Sequence, residues 1–307
     1  MKIVFMGTPD FAEECFRALL DAGYDIAAVF TQPDKPAKRG MKLQPSPVKV
    51  LAESYNIPVY QPATFKDGVP TGQLKEIAPD LVVTAAYGKL LPQSFLDVPR
   101  LGCINVHGSL LPRHRGAAPV QYAVLCGDRE TGVSIQYMSQ GMDEGDVISS
   151  CRTEIGEFET SGELFDRLQH MAAKLLVETV ELIERGEATA EKQCESDATY
   201  TAMLDKSQSP IDWNKSPREI VKHICGMDPW PCATMTLGGE TYKVFGAAYT
   251  EHTTTKEPGK VIAAGKDGIE FACGGGKTLL ITELQPAGKK RMSSAAFLLG
   301  HKIEIDE

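Results

Sequence analysis

The chain has 307 residues, which is long enough for two domains that each bury a hydrophobic core. Hydrophobic residues make up 42% of the sequence and charged residues 24%, a composition that is typical of a folded globular protein and excludes a largely disordered chain. The net charge of −9 argues against indiscriminate binding to nucleic acid.

The negative charge is confined to the first two thirds of the sequence. Residues 1–204 contain 19 Lys and Arg against 28 Asp and Glu, whereas residues 205–307 contain 13 of each class. A polyanionic partner would therefore meet a repulsive field over the first part of the chain and a neutral one over the last part.

The sequence has neither the pattern of a secreted protein nor that of a membrane protein. Only four consecutive apolar residues precede the turn at Gly7, too few for a signal-peptide core or a membrane span. The eight cysteines include no Cys-x-x-Cys pair and no cluster with His at zinc spacing. We therefore expect a cytoplasmic protein with reduced cysteines and without a metal site.

The first elements are predicted to be a strand, a turn and a helix. Residues 2–6 form an apolar run that is typical of a buried strand, and Gly7-Thr8-Pro9 then turns the chain. Thr8 is expected to be the N-cap of the helix and Pro9 its first residue, because these residue types are favoured at those positions. Gly23 is placed to end the helix.

A predicted strand at residues 26–30 leads into a proline-rich loop, residues 31–43. Two prolines and a glycine predict that this loop has no regular structure. It follows the carboxyl end of a strand, where open α/β sheets bind their ligands. Its cations are Lys35, Lys38, Arg39 and Lys42. In an otherwise acidic part of the chain, they indicate either a solvated loop or a contact to an anionic substrate.

The first 189 residues alternate between predicted strands and predicted helices. This alternation is typical of an α/β fold with a mostly parallel, doubly wound, Rossmann-like sheet. The further strands are predicted at residues 59–60, 81–86, 133–138 and 147–152, and the further helices at 47–55, 90–96, 117–126 and 161–185. The last of these helices is expected to begin with Ser161 as its cap.

Two stretches place an amide, an imidazole and a carboxylate in one candidate site. Residues 104–107 are typical of a buried strand, and Asn105 and His107 on it point to the same face. A later loop, residues 141–146, lies between two predicted strands and carries Asp143. An amide can donate to a developing oxyanion, an imidazole can move a proton and a carboxylate can orient the imidazole. The plainer alternative is a loop amide, a packed histidine and a turn residue.

The last third of the chain has a different pattern of apolar and turn residues. Between residues 190 and 208 the apolar periodicity is lost, which indicates a linker. The capping box Ser216-Pro217-Arg218-Glu219 then begins a short helix. Short strands with glycine turns follow at residues 234–236, 241–245, 261–263, 269–273 and 278–284, and they predict a small, OB-like β-barrel. The predicted domains are residues 1–189 and 209–307.

The order of the motifs resembles that of the folate-dependent formyltransferases along essentially the whole chain. The motifs are Gly7-Thr8-Pro9-Asp10-Phe11, the loop at 31–42, Ala86-Tyr87-Gly88, residues 105–112, residues 115–119, residues 141–146 and residues 284–292. The departures from the family pattern are Lys38, His114, Met142 and Glu144. None of these departures removes a catalytic residue type.

The resemblance implies transfer of a formyl group from 10-formyltetrahydrofolate to the α-amino group of initiator methionyl-tRNA. Asn105 would donate to the oxyanion, His107 would stabilise it or carry the proton, and Asp143 would hold His107 and help to take the proton of the amine. The resemblance leaves open whether His107 or Asp143 is the formal base. A formyltetrahydrofolate hydrolase, or a formyltransferase that acts on an amino-sugar nucleotide, would use the same three residues. The basic tract at residues 289–291 favours the tRNA substrate.

The resemblance also implies a monomer that uses no metal and contacts no membrane. It further implies which residues bind the two substrates. The domain at 1–189 would be catalytic, and the barrel at 209–307 would contact tRNA. The folate contacts would be Ser109, Leu110, Leu111 and Pro112, together with the backbone at Tyr87 and Gly88. The tRNA contacts would be Lys35, Lys38, Arg39 and Lys42 at the acceptor stem, and Lys289, Lys290 and Arg291 on the barrel.

Overall fold

The N-terminal residues form an inner strand of a seven-stranded sheet in the computed structural model, which describes residues 1–37 and 42–305. The chain divides into two units. The first contains Met1–Pro119, Thr131–Thr153 and Phe165–Ala202, and the second contains Val120–Glu130, Glu154–Leu164 and Met203–Glu307. The domain limits at residues 189 and 209 stay a prediction, which expression of the separate fragments would test.

Strands and helices alternate up to the end of the long sixth helix, as the sequence predicts. The strands are β1 (Lys2–Gly7), β2 (Asp25–Phe30), β3 (Lys35–Ala37), β4 (Lys42–Gln44), β5 (Val59–Tyr60), β6 (Leu81–Ala85), β7 (Cys103–His107), β8 (Arg115–Gly116), β9 (Glu130–Tyr137), β10 (Val147–Glu154) and β11 (Tyr200–Thr201). The helices are α1 (Asp10–Asp21), α2 (Pro47–Ser54), α3 (Val69–Ile77), α4 (Gln93–Leu96), α5 (Pro119–Leu125) and α6 (Ser161–Arg185). Among these helices only α3 was not predicted, and the short strands β3, β4, β8 and β11 were not predicted either.

The large sheet has the order β10-β9-β7-β6-β1-β2-β5 and is mostly parallel. The pairs β1–β2, β1–β6, β2–β5 and β6–β7 are parallel, and β7–β9 is antiparallel. The chain leaves β1 first towards β5 and then crosses to β6, so the order reverses between β1 and β6. Ligands of open α/β sheets bind at such a switch point, outside the carboxyl ends of the strands. The loops after β6 and β7 emerge at this edge.

The basic loop corrects one prediction, because it contains regular structure. Strands β3 and β4 form an antiparallel ribbon in which Lys35 pairs with Gln44 and Ala37 with Lys42. A two-stranded ribbon leaves one edge of each strand unpaired, so it can accommodate Pro36, which has no amide hydrogen. Lys38 and Arg39 lie outside the described residues.

Two helix caps differ from their predictions by one residue. Helix α1 has Pro9 as its N-cap residue and no side-chain cap, while the Thr8 hydroxyl accepts from the Gln32 backbone at 3.4 Å. Helix α6 begins at Ser161, but the cap is Thr160, which exchanges hydrogen bonds with Glu163. In both cases a neighbouring residue with the right backbone conformation takes the position, and the predicted hydroxyl finds another partner.

The second unit contains a six-stranded antiparallel sheet that is consistent with a small barrel-like domain. Its elements are α7 (Pro217–Met227), β12 (Ala233–Leu237), β13 (Glu240–Thr253), β14 (Val261–Gly265), β15 (Gly268–Cys273), β16 (Lys277–Pro286), β17 (Met292–Ser293) and α8 (Ser294–Leu298). The order is β12-β13-β16-β15-β14, with β17 paired to β16. Ser216 and Glu219 form the predicted capping box of α7. In the described ranges, no helix is long and apolar enough to cross a membrane.

Candidate active site

The register of β7 places the predicted amide and imidazole on one face of the sheet. Asn105 lies opposite Gln136 of β9, and His107 lies opposite Ser134. Residues that are directly opposite in a sheet share a face, so the four side chains form one polar group at the carboxyl end of β7. The side chain of His107 is only 6% exposed.

The loop after β9 brings Asp143 to this group. Its Oδ1 accepts from Nδ2 of Asn105 at 3.3 Å and from Nε2 of Gln136 at 3.0 Å. Its Oδ2 accepts from the backbone nitrogen of Gly116 at 2.9 Å and lies 3.6 Å from Nδ1 of His107. The structure therefore brings the amide, the imidazole and the carboxylate together around one carboxylate group.

The imidazole of His107 is oriented by a backbone carbonyl. Its Nε2 lies 2.9 Å from the carbonyl oxygen of His114. A carbonyl oxygen can only accept, so Nε2 carries the proton and Nδ1 is the atom that faces Asp143. His114 is one of the departures from the family pattern, but its contact with His107 is made by the backbone. The departure therefore leaves the orientation of His107 intact.

Ser109 supports the loop after β7. It is fully buried, and its hydroxyl donates to the Arg113 carbonyl at 2.6 Å. The Ser134 hydroxyl donates to the Ser109 carbonyl at 2.8 Å and accepts from the Leu111 nitrogen at 3.1 Å. These bonds hold a loop in which Leu110, Leu111 and Pro112 are partly exposed. We refer to these three partly exposed residues as the apolar wall; Ser109 is buried in the same loop.

The loop after β6 emerges beside this wall, since Ala85 of β6 pairs with Val106 of β7. Tyr87 is 2% exposed and its ring packs edge-on against Phe65, whereas Gly88 is exposed. The Tyr87 carbonyl accepts from Nε2 of Gln32 at 2.9 Å. Burial raises the pKa of Tyr87. Any ligand at this edge would meet the backbone of Tyr87 and Gly88, because the phenol points into the core.

Replacing Tyr87 by Phe tests whether the buried Tyr87 hydroxyl lacks a hydrogen-bond partner. Within the described residues the buried hydroxyl has no hydrogen-bond partner, so its removal should leave the free energy of unfolding unchanged or raise it by up to about 1 kcal/mol. The matched control is Tyr200→Phe, which removes an oxygen that accepts from Nη1 of Arg115 at 2.8 Å and should cost about 1 kcal/mol. Urea denaturation measures both, and a clear loss of stability in Tyr87→Phe would contradict the description.

Arg115 connects the site to the segment that was predicted as a linker. Its guanidinium is fully buried and donates two hydrogen bonds to the carboxylate of Glu195, at 2.7 and 3.0 Å. Glu195 raises the pKa of Arg115, and Arg115 lowers the pKa of Glu195. The strands β8 and β11 pair in parallel, Arg115 with Tyr200. Part of residues 190–208 thus forms one wall of the site.

Two glutamines belong to the site and were missed by the sequence analysis. Nε2 of Gln193 lies 2.8 Å from the Asp143 carbonyl, 2.7 Å from the Gly145 carbonyl and 3.1 Å from Oε1 of Gln136. Gln136 could have been found, because it alternates with Ser134 on a strand that pairs with β7. Gln193 carries no local signal, since its position follows only from the fold.

The predicted tRNA contacts fall into different environments. Lys35 is exposed at the start of the β3–β4 ribbon, and Lys42 lies on β4. On the second unit Lys289 and Lys290 are exposed, whereas Arg291 is paired with two carboxylates. Lys289 and Lys290 therefore present their charge outwards, and Arg291 holds neighbouring segments together.

The base of the β3–β4 ribbon is anchored to the sheet. The carboxylate of Asp34 accepts from Nζ of Lys49 and from Nε2 of Gln61, both at 2.7 Å. These bonds, first that of Lys49, lower the pKa of Asp34. The same Gln61 nitrogen donates to the Gln32 carbonyl at 2.9 Å. The ribbon thus begins from a fixed point at the carboxyl edge of the sheet.

The site contains the groups needed to transfer an acyl group without a side-chain nucleophile. The amide of Asn105 has two N–H donors, of which one is directed at Asp143 and the second can serve a reacting oxygen. Nδ1 of His107 can accept a proton beside the Asp143 carboxylate. Over the described ranges no group of three or more His, Cys, Asp or Glu side chains could hold a metal ion.

Comparison with known sequences covers both parts of the chain. The profile of the formyl transferase family matches residues 1–180, and that of the formyl transferase C-terminal domain matches residues 203–302. The methionyl-tRNA formyltransferase of Bacillus mycoides strain KBAB4 is 45% identical over 305 residues, 99% of this chain and 97% of the relative. That of Alkaliphilus oremlandii strain OhILAs is 45% identical over 304 residues, 99% of this chain and 98% of the relative.

Solved structures with low sequence identity share the fold. HypX from Aquifex aeolicus in complex with tetrahydrofolic acid is 16% identical with a TM-score of 0.65, and the match covers 100% of this chain and 48% of HypX. An N-formyltransferase from Helicobacter canadensis in complex with folinic acid and dTDP-3-aminofucose is 16% identical with a TM-score of 0.69, and the match covers 93% of this chain and 99% of that chain.

Proposed function

Because the chain belongs to the formyl transferase family, and within it to the methionyl-tRNA formyltransferases, we propose that it formylates the α-amino group of initiator methionyl-tRNA. The formyl donor is 10-formyltetrahydrofolate, and the reaction serves translation initiation. The observation that carries the proposal is the convergence of Asn105, His107 and Asp143 at the carboxyl edge of the sheet. This supports transfer of a one-carbon acyl group by electrostatic stabilisation and proton transfer.

The formyl carbon of the folate is the electrophile, and the formyl oxygen becomes negative when the amine adds to that carbon. Asn105 donates the second N–H of its amide to that oxygen. The first N–H is held by Asp143, so the amide is oriented before the substrate arrives. A donor that is fixed in advance needs no reorganisation at the moment of reaction, which is why such donors lower the barrier.

The proton that the attacking amine loses goes to Nδ1 of His107. Nε2 is committed to the His114 carbonyl, so Nδ1 is the basic atom of the neutral ring. The Asp143 oxygen 3.6 Å away stabilises the imidazolium that forms. In this assignment His107 is the base, and Asp143 stabilises and orients it. The protonated ring then supplies the proton that the departing folate nitrogen needs.

The edge of the sheet fits a flat, partly apolar folate. Pockets for such ligands combine apolar walls with a few fixed polar groups. The partly exposed Leu110, Leu111 and Pro112 supply an apolar wall, and exposed backbone at Gly88 supplies hydrogen-bonding groups. Leu90, which is 71% exposed, adds apolar surface after β6. We assign the folate to the space between these two loops.

Assays with three acceptors test the proposed function against its alternatives. The protein is incubated with 10-formyltetrahydrofolate and either charged initiator tRNA, water alone or a dTDP-amino sugar, and the formylated product is measured. Formylmethionine on the tRNA is expected, at a rate well above release of formate and above sugar formylation. Formate as the main product in the presence of charged tRNA would favour the hydrolase, and a formylated sugar would favour the sugar-nucleotide enzyme.

The tRNA contacts are assigned to Lys35 and Lys42 of the β3–β4 ribbon, to Lys38 and Arg39, which lie outside the described residues, and to Lys289, Lys290 and Arg291 on the second unit. The ribbon grips the acceptor end, and the lysines of the second unit add phosphate contacts. The excess of acidic residues before residue 205 makes such local cations necessary for a polyanionic substrate. The enzyme acts as a monomer in the cytoplasm, where charged initiator tRNA is used; size-exclusion chromatography tests the first point.

Replacing Lys289 and Lys290 together by Ala should weaken tRNA binding in a salt-dependent manner. For every phosphate that a lysine no longer neutralises, the slope of log affinity against log salt should fall by about 0.7–0.9. The control is Lys266→Ala, which removes an exposed lysine from the β14–β15 turn. Filter binding at several salt concentrations measures the slopes. The assignment fails if the double variant keeps the slope of the unmodified protein or matches Lys266→Ala.

A further inference from the structure

Two glutamines connect a buried cation to the catalytic carboxylate. Nε of Arg115 donates to Oε1 of Gln193 at 3.0 Å. The two N–H groups of Gln193 Nε2 are shared among three acceptors, Oε1 of Gln136 at 3.1 Å and the carbonyl oxygens of Asp143 and Gly145 at 2.8 and 2.7 Å. Nε2 of Gln136 then donates to Oδ1 of Asp143 at 3.0 Å. We refer to Gln193 and Gln136 as the glutamine bridge.

The direction of each amide in the bridge is set by its partners. Arg115 can only donate, so it faces the oxygen of Gln193, and the backbone carbonyls of the Asp143 loop can only accept, so they face the nitrogen. The Asp143 carboxylate likewise faces the nitrogen of Gln136. All hydrogen bonds therefore run one way, from the guanidinium to the carboxylate, an arrangement in which successive bonds polarise one another.

The bridge also holds the backbone of the catalytic loop. Asp143 has a φ of 56°, in the left-handed region, which Asp adopts more readily than most residues but still less readily than glycine. Nε2 of Gln193 lies within 2.8 Å of the carbonyl oxygens on Asp143 and on Gly145. A single side chain therefore fixes the loop at two backbone positions, and Arg115, which is fully buried, fixes that side chain.

We infer that Gln193 is a positioning residue for formyl transfer: it sets the place of Asp143 beside His107 through Gln136 and through the two loop carbonyls. It does not touch the reacting atoms. The inference rests on the proposed function for its kinetic consequence, but its structural consequence, a less restrained loop, does not depend on that function.

Gln193→Met removes every hydrogen bond of the side chain while nearly keeping its volume. We expect kcat to fall by about 10-fold to 10²-fold, because a displacement of about 1 Å at a reacting group has an effect of this size. KM for the folate should stay the same, since the apolar wall is formed by Leu110, Leu111 and Pro112. The matched control is Gln93→Met, an exposed glutamine on α4 whose partner is Asp97; its kcat should be unchanged.

Gln193→Glu separates positioning from simple support of Arg115. A carboxylate keeps the acceptor for the guanidinium but loses both N–H donors and faces two carbonyl oxygens and the Gln136 oxygen. If the only role of Gln193 were to accept the hydrogen bond from Arg115, this variant would be active and stable. A positioning role predicts a thermal midpoint close to that of the unmodified protein together with a kcat at or below that of Gln193→Met.

A double-variant cycle with Gln136→Met tests whether the two glutamines act as one unit. In a connected bridge, the double variant should lose no more kcat than the worse single variant. Multiplied losses would show that the residues act independently and would overturn the bridge. Glutamines that merely filled space would tolerate Met, which nearly keeps their volume, with no loss of kcat in either single variant.

Hydrogen exchange of residues 139–146 supplies a readout that needs no activity. Gln193→Met should raise the exchange rate of this segment in the full-length protein, and Gln93→Met should not. If the unmodified protein does not formylate charged tRNA but exchange rises, the proposed function fails and the positioning role of Gln193 stands. Unchanged exchange, or an unchanged kcat in an active enzyme, overturns the inference.

Discussion

Replacement of His107 by Ala is expected to lower kcat by at least about 10²-fold while the protein remains folded. The variant removes Nδ1, the basic atom beside Asp143, and general-base catalysis typically contributes a factor of about 10²–10⁴. Folding should survive, because the ring contributes one hydrogen bond, to the His114 carbonyl, at the end of a strand whose apolar side chains stay in place. Single-turnover formylation of charged tRNA measures the chemical step, and circular dichroism verifies the fold.

The companion variants assign the roles within the three residues. Asn105→Ala should lower kcat by about 10²–10³-fold, because this is the usual effect of removing one oxyanion donor. Asp143→Asn should lower kcat by at least about 10²-fold. The control is His170→Ala, which removes an exposed histidine on α6 that contacts Glu14. A folded His107→Ala protein with near-normal kcat would show that proton transfer takes another route.

The convergence of Asn105, His107 and Asp143 could be predicted from the sequence because part of its signal is local. Asn105 and His107 are two residues apart on a strand, so period-two alternation alone puts them on one face. Asp143 lies in a loop between strands, which is where a side chain can reach the edge of a sheet. The parallel sheet and the antiparallel second unit were predictable for the same reason, since strand periodicity and turn residues act over short distances.

Residues that the fold brings together from afar could not be predicted. Gln193 reaches Arg115 and Asp143 only because β11 pairs with β8, a pairing that no local pattern encodes. The polar composition of residues 190–208 predicts a linker, which stays a prediction, but composition gives no sign of the contacts that Gln193 and Glu195 make with Arg115.

The local environment of a charged side chain could not be predicted from the sequence either. The sequence shows Lys289, Lys290 and Arg291 as one basic tract, but Arg291 is engaged by Glu283 and Asp228 and lies 4.4 Å from the ring centre of Phe245. Its pKa is raised, first by the hydrogen bond to Glu283. Whether a cation faces a partner or a neighbouring carboxylate depends on the fold.

Gly145→Ala is expected to lower kcat by about 10²-fold or more and to destabilise the protein by about 1–3 kcal/mol. A Cβ at this position would lie 1.7 Å from the Tyr137 carbonyl oxygen, whereas real Cβ contacts stay beyond 3.0 Å. The obstacle is the backbone of β9, which cannot rotate away as a side chain would, so the loop must move by more than about 1 Å. That displacement carries the Gly145 carbonyl away from Gln193 and Asp143 away from His107.

The matched control is Gly72→Ala on helix α3, where an added Cβ would meet no atom within 4 Å. Alanine is the better helix former, so this variant should gain up to about 1 kcal/mol of stability and keep its kcat. Urea denaturation and single-turnover assays of the two variants separate the general effect of an added methyl group from its specific effect at residue 145. If Gly145→Ala behaves as Gly72→Ala does, the loop tolerates the displacement and the position of Asp143 is not what limits the reaction. If Gly145→Ala loses kcat while its folate affinity is unchanged, the loss lies in the placement of Asp143 beside His107.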